Sequence, residues 1–270
     1  MEKVIILMLL IFTIPNAYSQ KSDIVELNGA NIYYEIHGEG EPLVVLHWYM
    51  GSNKIYDRWV QDWSKIYKVI LPDLRGHGQS TNPKKVFRHR DVAEDIYALM
   101  DHLKIKRFKA LGASTGGMTL VHMATMDTSR ILSMVLIGAT SYYPQECRES
   151  MRSYKVSEWE KYNWMNKHVS RGEKQIKKLI YQFNELSDTY DDMNFTPAYL
   201  AKIKCPVLII HGDRDEYFPI NIPVEMYKSI PNAYLWILPN GRHIPPIWGS
   251  KWSSIFSDIT MDFLNGEWKK

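Results

Sequence analysis

Gly112-Ala113-Ser114-Thr115-Gly116 is the stretch whose reading decides the fold. An apolar run, residues 108–111, leads into it, and a helical pattern, residues 118–126, leads out. A serine hydroxyl is a poor nucleophile in water, so an enzyme must raise it on a sharp strand-to-helix turn where a base reaches its proton. Glycines two residues to either side permit such a turn, because a larger side chain would strike the strand or the helix. A bare match to this pattern is weak evidence, since glycine and serine often meet in loops. The rest of the chain gives it weight.

Two acids and one histidine follow Ser114. The strand-like residues 206–211 end in Gly212-Asp213-Arg214-Asp215-Glu216-Tyr217-Phe218-Pro219, placing carboxylates at the carboxyl edge of a buried strand, where catalytic groups gather in open α/β sheets. Residues 233–238 read as a further strand, followed by Pro239-Asn240-Gly241-Arg242-His243. Position alone leaves Asp213 and Asp215 both open as the acid. His243 is the one histidine after them, and no histidine shows the spacing of a metal site.

Strand-like runs alternate with amphipathic helical patterns along most of the chain. Residues 23–27 and 31–37 predict a hairpin across Asn28-Gly29. Strands follow at 43–46, 68–71, 108–111 and 133–137, with helices near 56–65 and over 91–103. Continuous apolar runs separated by helices predict a parallel sheet covered on both faces. Between 141 and 204 the pattern changes to charged, aromatic-rich helices, 146–166 and 174–186, which predicts a helical cap inserted after the sixth strand.

Through these motifs the chain resembles the α/β-hydrolases along nearly its whole mature length. Leu46-His47-Trp48-Tyr49-Met50-Gly51-Ser52 resembles their oxyanion loop, and Pro72-Asp73-Leu74-Arg75-Gly76-His77-Gly78-Gln79-Ser80 resembles the turn after their fourth strand. The order serine, acid, histidine is theirs as well. The resemblance implies an α/β fold with a mostly parallel eight-stranded sheet, helices on both faces and a helical cap. It implies Ser114 as nucleophile, His243 as base and Asp215 as acid, with Asp213 forming the turn. The main-chain N–H groups of Tyr49 and Thr115 are the implied oxyanion hole. Trp48 departs from the family, which has glycine there.

Composition sets the bounds. The chain has 270 residues, 45% hydrophobic and 23% charged, enough for one sizeable core. Lys3, the uncharged run 4–14 and Ala17-Tyr18-Ser19 read as a secretory signal over residues 1–19, cleaved before Gln20. That run is shorter than the roughly 20 residues a bilayer span needs, so export to the periplasm or medium is expected, with no stable membrane anchor. The hydrolase core is expected at 20–140 and 205–270, with the cap at 141–204. A net charge of +3 gives no reason to invoke nucleic acid. The basic stretch 84–90 and the acidic group Glu185, Asp188, Asp191 and Asp192 read as solvated. Cys147 and Cys205 are expected as two free, partly buried thiols.

The expected function is hydrolysis of a small-molecule ester or lactone, with no cofactor or metal. Trp48, Tyr142, Trp159 and Trp164 are the expected substrate contacts. A diffuse resemblance to serine esterases that open macrolide antibiotics points to a bulky apolar substrate, and acids at the pocket mouth would favour an amine-bearing one. The alternatives are a carbon–carbon hydrolase or lyase with the same triad, and a low-turnover binding protein on the same fold.

Overall fold

The computed structural model describes residues 20–244 and 252–268. The expected signal segment, residues 1–19, lies outside them. Two strands open the chain, β1 (Gln20–Leu27) and β2 (Ala30–His37), joined across Asn28 and Gly29, which both take positive φ (48° and 73°). That pair of left-handed residues matches the twist of a tight hairpin. Six further strands follow: β3 (Glu41–Leu46), β4 (Tyr67–Pro72), β5 (Phe108–Ala113), β6 (Ile131–Ile137), β7 (Val207–Gly212) and β8 (Ala233–Leu238). They form one eight-stranded sheet in the order β1-β2-β4-β3-β5-β6-β7-β8. β2 runs antiparallel to β1 and β4, while every pair among β3 to β8 is parallel.

Side chains alternate across the strands and divide the core into two layers. Leu43, Val45, Leu111, Ala113, Val135 and Ile137 join Trp59 and Trp63 of α1 (Asp57–Trp63) on one face. Val44, Leu46, Ala110, Met134 and Leu136 join α2 (His89–His102) and α3 (Thr115–Met126) on the other. Strands buried on both faces need apolar residues on both, which is why their sequences read as near-continuous apolar runs. The strand order reverses at β3, between β4 and β5. The crevice at the carboxyl ends of β3 and β5 is the place such a sheet offers to a ligand.

Between β6 and β7 lie α4 (Gln145–Ser153), a 3-10 stretch (Val156–His168), α5 (Gly172–Leu186) and α6 (Pro197–Leu200). The single helix expected over 146–166 is therefore broken. Tyr154 and Lys155 are extended, and Glu158 and Tyr162 depart from helical geometry within the 3-10 stretch. The break is satisfied from outside: Asn184 Nδ2 donates to the carbonyls of Met151 and Tyr154 at 3.0 and 2.7 Å. After the cap come α7 (Asn221–Ser229) and α8 (Trp252–Leu264), the latter in the α1 layer.

Two expectations about charge are corrected. Asp192 is buried, not solvated: it accepts the His89 main-chain N–H and lies 2.6 Å from His89 Nδ1. Glu185, Asp188 and Asp191 are exposed as expected, the last two paired at the surface with Arg152 and Arg88. The basic stretch is likewise only partly in water, since Phe87 and His89 are buried beneath the cap, and Gln182 donates to the Lys84 and Lys85 carbonyls. Cys147 and Cys205 are free and buried, and burial pushes both thiols up to about 12. Among the described residues no helix is long and apolar enough to cross a membrane.

The turn after β4 is anchored by an ion pair with both side chains about 1% exposed: Arg75 Nε and Nη2 donate to the two Asp95 oxygens at 2.7 and 2.6 Å. Asn28 Nδ2 adds a third donor to Asp95 at 3.0 Å, joining the hairpin to α2. Removing one partner strands a charge out of water, which costs about 3 to 5 kcal/mol. Arg75→Met is expected to lose stability on that scale in denaturant unfolding, more than Lys65→Met, whose ion pair with Asp62 lies on the surface.

Candidate active site

Ser114 joins β5 to α3 with φ 49° and ψ −115°, a conformation that costs an ordinary residue energy. It is held on both sides: its N–H donates to the Ile137 carbonyl at 2.7 Å, and its carbonyl accepts from Met118 N at 2.8 Å. The neighbouring glycines explain the sequence pattern. A Cβ on Gly112 would collide with the Gly116 main chain, and one on Gly116 with the Leu46 carbonyl. Gly117 is a third such position, its would-be Cβ 2.9 Å from Ala139 Cβ. The motif alone did not single it out, although the doubled glycine was its trace. Thr115 is the first residue of α3, so its N–H has no carbonyl four residues back within the helix and is available to a ligand.

Three elements bring the polar residues together. The Ser114 hydroxyl lies 3.0 Å from His243 Nε2, and His243 Nδ1 lies 2.8 Å from Asp215 Oδ2. The carboxylate accepts only, so Nδ1 carries the proton and Nε2 is left to accept from the serine. Asp215 Oδ1 accepts from the N–H groups of Tyr217 and Phe218 at 2.8 and 3.0 Å. Burial pushes the Asp215 carboxyl up, but the His243 hydrogen bond and charge, His211 and the Phe218 N–H together hold it below its ordinary value. Asp213 is elsewhere: it is partly exposed and accepts from Gly241 N at 3.2 Å, closing the turn.

The loop after β3 is fixed from below and above. His47 Nε2 accepts from Leu74 N at 3.0 Å, so its Nδ1 donates to the Trp48 carbonyl at 2.8 Å. Asp73, pushed up to about 6 by burial, accepts from Asn53 N and Gln79 N, both at 2.8 Å. From the cap, the Tyr49 hydroxyl donates to the Leu179 carbonyl at 3.1 Å, and His168 Nδ1 meets Ser52 Oγ at 2.9 Å. Trp48 is accommodated by a tight turn in which Gly51 N donates to the Trp48 carbonyl and Met50 takes φ 63°.

A cavity of about 610 Å³ opens over Ser114, Thr115 and His243. Trp48, Tyr49 and Met50 form one wall, Met118 lies on α3, and the cap contributes Tyr143, Cys147, Met151, Tyr154, Trp164, Phe183 and Leu186. Its charged residues are Lys167, Glu216 and Arg242. Of the four expected contacts, Trp48 and Trp164 line it, whereas Tyr142 and Trp159 do not. Tyr142 faces solvent at an isolated bridge to Asn194, and Tyr143, the next residue, lines the cavity instead. Trp159 packs against the core cluster with Lys177 Nζ 5.5 Å over its ring. The lining methionines and Leu186 were not anticipated, because at helical spacing they are indistinguishable from core residues. None of Glu185, Asp188, Asp191 and Asp192 lines the cavity.

Comparison with known proteins agrees with the fold. The family model described as the alpha/beta hydrolase fold matches residues 41–168. The human serine hydrolase BPHL is 29% identical over 257 residues, covering 89% of this chain and 85% of that protein. A pimeloyl-[acyl-carrier protein] methyl ester esterase from Nitrosomonas europaea is 25% identical over 249 residues, covering 80% and 94%. Among solved structures, the enol-lactonase from Burkholderia xenovorans superposes with a TM-score of 0.71 at 23% identity, covering 90% of this chain and 100% of that one. The chain has the α/β-hydrolase fold and is an enzyme of that type.

Proposed function

We propose that the chain is a serine hydrolase that cleaves carboxylic esters or lactones through an acyl-enzyme. The observation that carries this reading is the hydrogen-bonded series Ser114, His243, Asp215 at the floor of an apolar cavity. Ser114 Oγ attacks the carbonyl carbon as its proton passes to His243 Nε2, and Asp215 stabilises the imidazolium that forms. The N–H groups of Thr115 and Tyr49 receive the developing oxyanion, each such donor contributing about 3 kcal/mol in the transition state. His243 then returns the proton to the leaving alcohol. Water repeats the sequence on the acyl-enzyme, with His243 again as base.

The walls favour an apolar substrate. A cavity of about 610 Å³ falls within the range that takes drug-sized molecules, roughly 300 to 1,000 Å³. Bulky esters and lactones suit it, and macrolide lactones mark the large end of that class. The preference for an amine-bearing substrate is dropped, since none of the acidic residues that suggested it lines the cavity, and Asp188, Asp191 and Asp192 are engaged with Arg152, Arg88 and His89.

Two sets of variants test the reading. Ser114→Ala is expected to abolish ester hydrolysis in a folded protein, and an organophosphonate should label Ser114 stoichiometrically, as mapped by peptide mass. Asp215→Asn should lower kcat by about 10⁴-fold through the wrong imidazole tautomer, whereas Asp213→Asn should have little effect. Reversal of those two results would move the acid to Asp213.

Substrate size is tested on the cap. Trp164→Ala is expected to lower kcat/KM for bulky esters about tenfold, the loss of about 1.4 kcal/mol of apolar contact, while sparing acetate esters. Trp159→Ala, away from the cavity, should not discriminate by size. A series of p-nitrophenyl esters of graded length, together with macrolide lactones followed by the mass gain of one water, reads both.

A further inference from the structure

A buried histidine, unused in the proposed chemistry, holds the loop that carries Asp215. His211 lies one residue before the end of β7 and is fully buried. Its Nε2 is 2.9 Å from the Phe218 carbonyl and 3.5 Å from Asp215 Oδ2, while its Nδ1 has no hydrogen-bond partner among the described residues. A carbonyl and a carboxylate only accept, so the proton sits on Nε2. One N–H therefore faces two acceptors, and one of them is the oxygen that receives His243.

Phe218 completes a closed arrangement. Its N–H donates to Asp215 Oδ1 and its carbonyl accepts from His211. The rings of Tyr217 and Phe218 pack against His243 at centroid distances of 4.8 and 5.1 Å, so the same loop sets the carboxylate and walls in the imidazole. Other charged and titratable groups surround the pair. Glu216 Oε2 accepts the His243 main-chain N–H at 3.3 Å, Arg242 lies 3.9 Å from Glu216, the Tyr217 hydroxyl meets that of Tyr154, and the Cys147 thiol on α4 feels the Asp215 charge.

We infer that His211 is a positioning residue for the acid–base pair: its Nε2–H holds the Phe218 carbonyl, and with it the loop whose N–H groups hold Asp215, while the same N–H lies 3.5 Å from Asp215 Oδ2, fixing the carboxylate beneath His243 and tempering the negative charge that the imidazole feels. This rests on the reading of Ser114, His243 and Asp215 as a triad. Without the donor the carboxylate is freer to turn away, which slows the reaction. Its charge also acts undiminished on His243, which then keeps its proton to higher pH, so the acid limb of the rate profile moves upward.

The test compares His211→Met, of similar bulk and without a donor, with His211→Gln, whose amide N–H reaches about as far as Nε2. The readouts are the rate of Ser114 phosphonylation against pH, kcat and KM for one ester, and Tm. His211→Met is expected to slow phosphonylation and kcat about tenfold with KM little changed, and to raise the acid limb by about half a pH unit. His211→Gln should recover both. An acid limb that stays in place while the rate and Tm fall together, or a Gln variant as slow as the Met variant, would overturn the inference. Where His211→Met does not fold, nitrogen-15 NMR of the unaltered protein decides: the Nε2–H tautomer supports the role, and the Nδ1–H tautomer refutes it. Failure of the unaltered protein to label at Ser114 would instead bring down the triad itself, a result distinct from normal labelling in His211→Met.

Discussion

The approach of α3 to the sheet is the constraint on which the rest depends. Gly116 lies so close to the Leu46 carbonyl, and Gly112 to the Gly116 main chain, that no Cβ fits at either. This lets the helix begin at once after β5, which forces Ser114 into φ 49°, ψ −115°. Such a conformation costs on the order of 1 to 3 kcal/mol and persists only where the surroundings over-determine it. Here the Ile137 carbonyl and Met118 N–H do so. The strained residue lifts its hydroxyl above the sheet edge, beside the helix N-terminus whose partial positive charge favours an oxyanion.

The cap is attached unevenly. α5 and the residues before it are hydrogen-bonded along the turn after β4, through Ser170, Arg171, Gln175, Lys178 and Gln182. Asp192 adds a buried link to the start of α2. On the opposite side, the Tyr154 and Tyr217 hydroxyls meet at 3.4 Å across the cavity. His168 joins the cap to the loop after β3 through Ser52, while His47 and His77 bond within the loops beneath it. Burial lowers His77 and His168 to about 4 and His47 well below its ordinary value. The many histidines thus serve packing and loop placement, with His243 alone facing the serine.

Much of the architecture was legible in the chain. Strands buried on both faces are apolar at most positions, and turns with positive φ select Asn28 and Gly29. The order of Ser114, Asp215 and His243 matches the order of the strands that carry them, so sequence motifs place all three at one sheet edge. The close approaches at Gly112 and Gly116 admit no other residue, so they too leave a mark that can be read.

What tertiary structure alone decided concerns the directions of side chains and the partners of charges. Tyr142 and Tyr143 are equal in sequence, but an extended segment sends neighbours to opposite sides, and only Tyr143 reaches the cavity. Trp159 and Trp164 part because the 3-10 stretch that carries both leaves helical geometry at Tyr162, between them. Asp192 looks like its solvated neighbours until His89, 103 residues away in sequence, is brought against it. His211 reads as the polar end of a strand until the fold turns the Phe218 carbonyl and Asp215 towards it. Local pattern determines which residues are apolar, strained or cornered; long-range packing determines which polar group meets which.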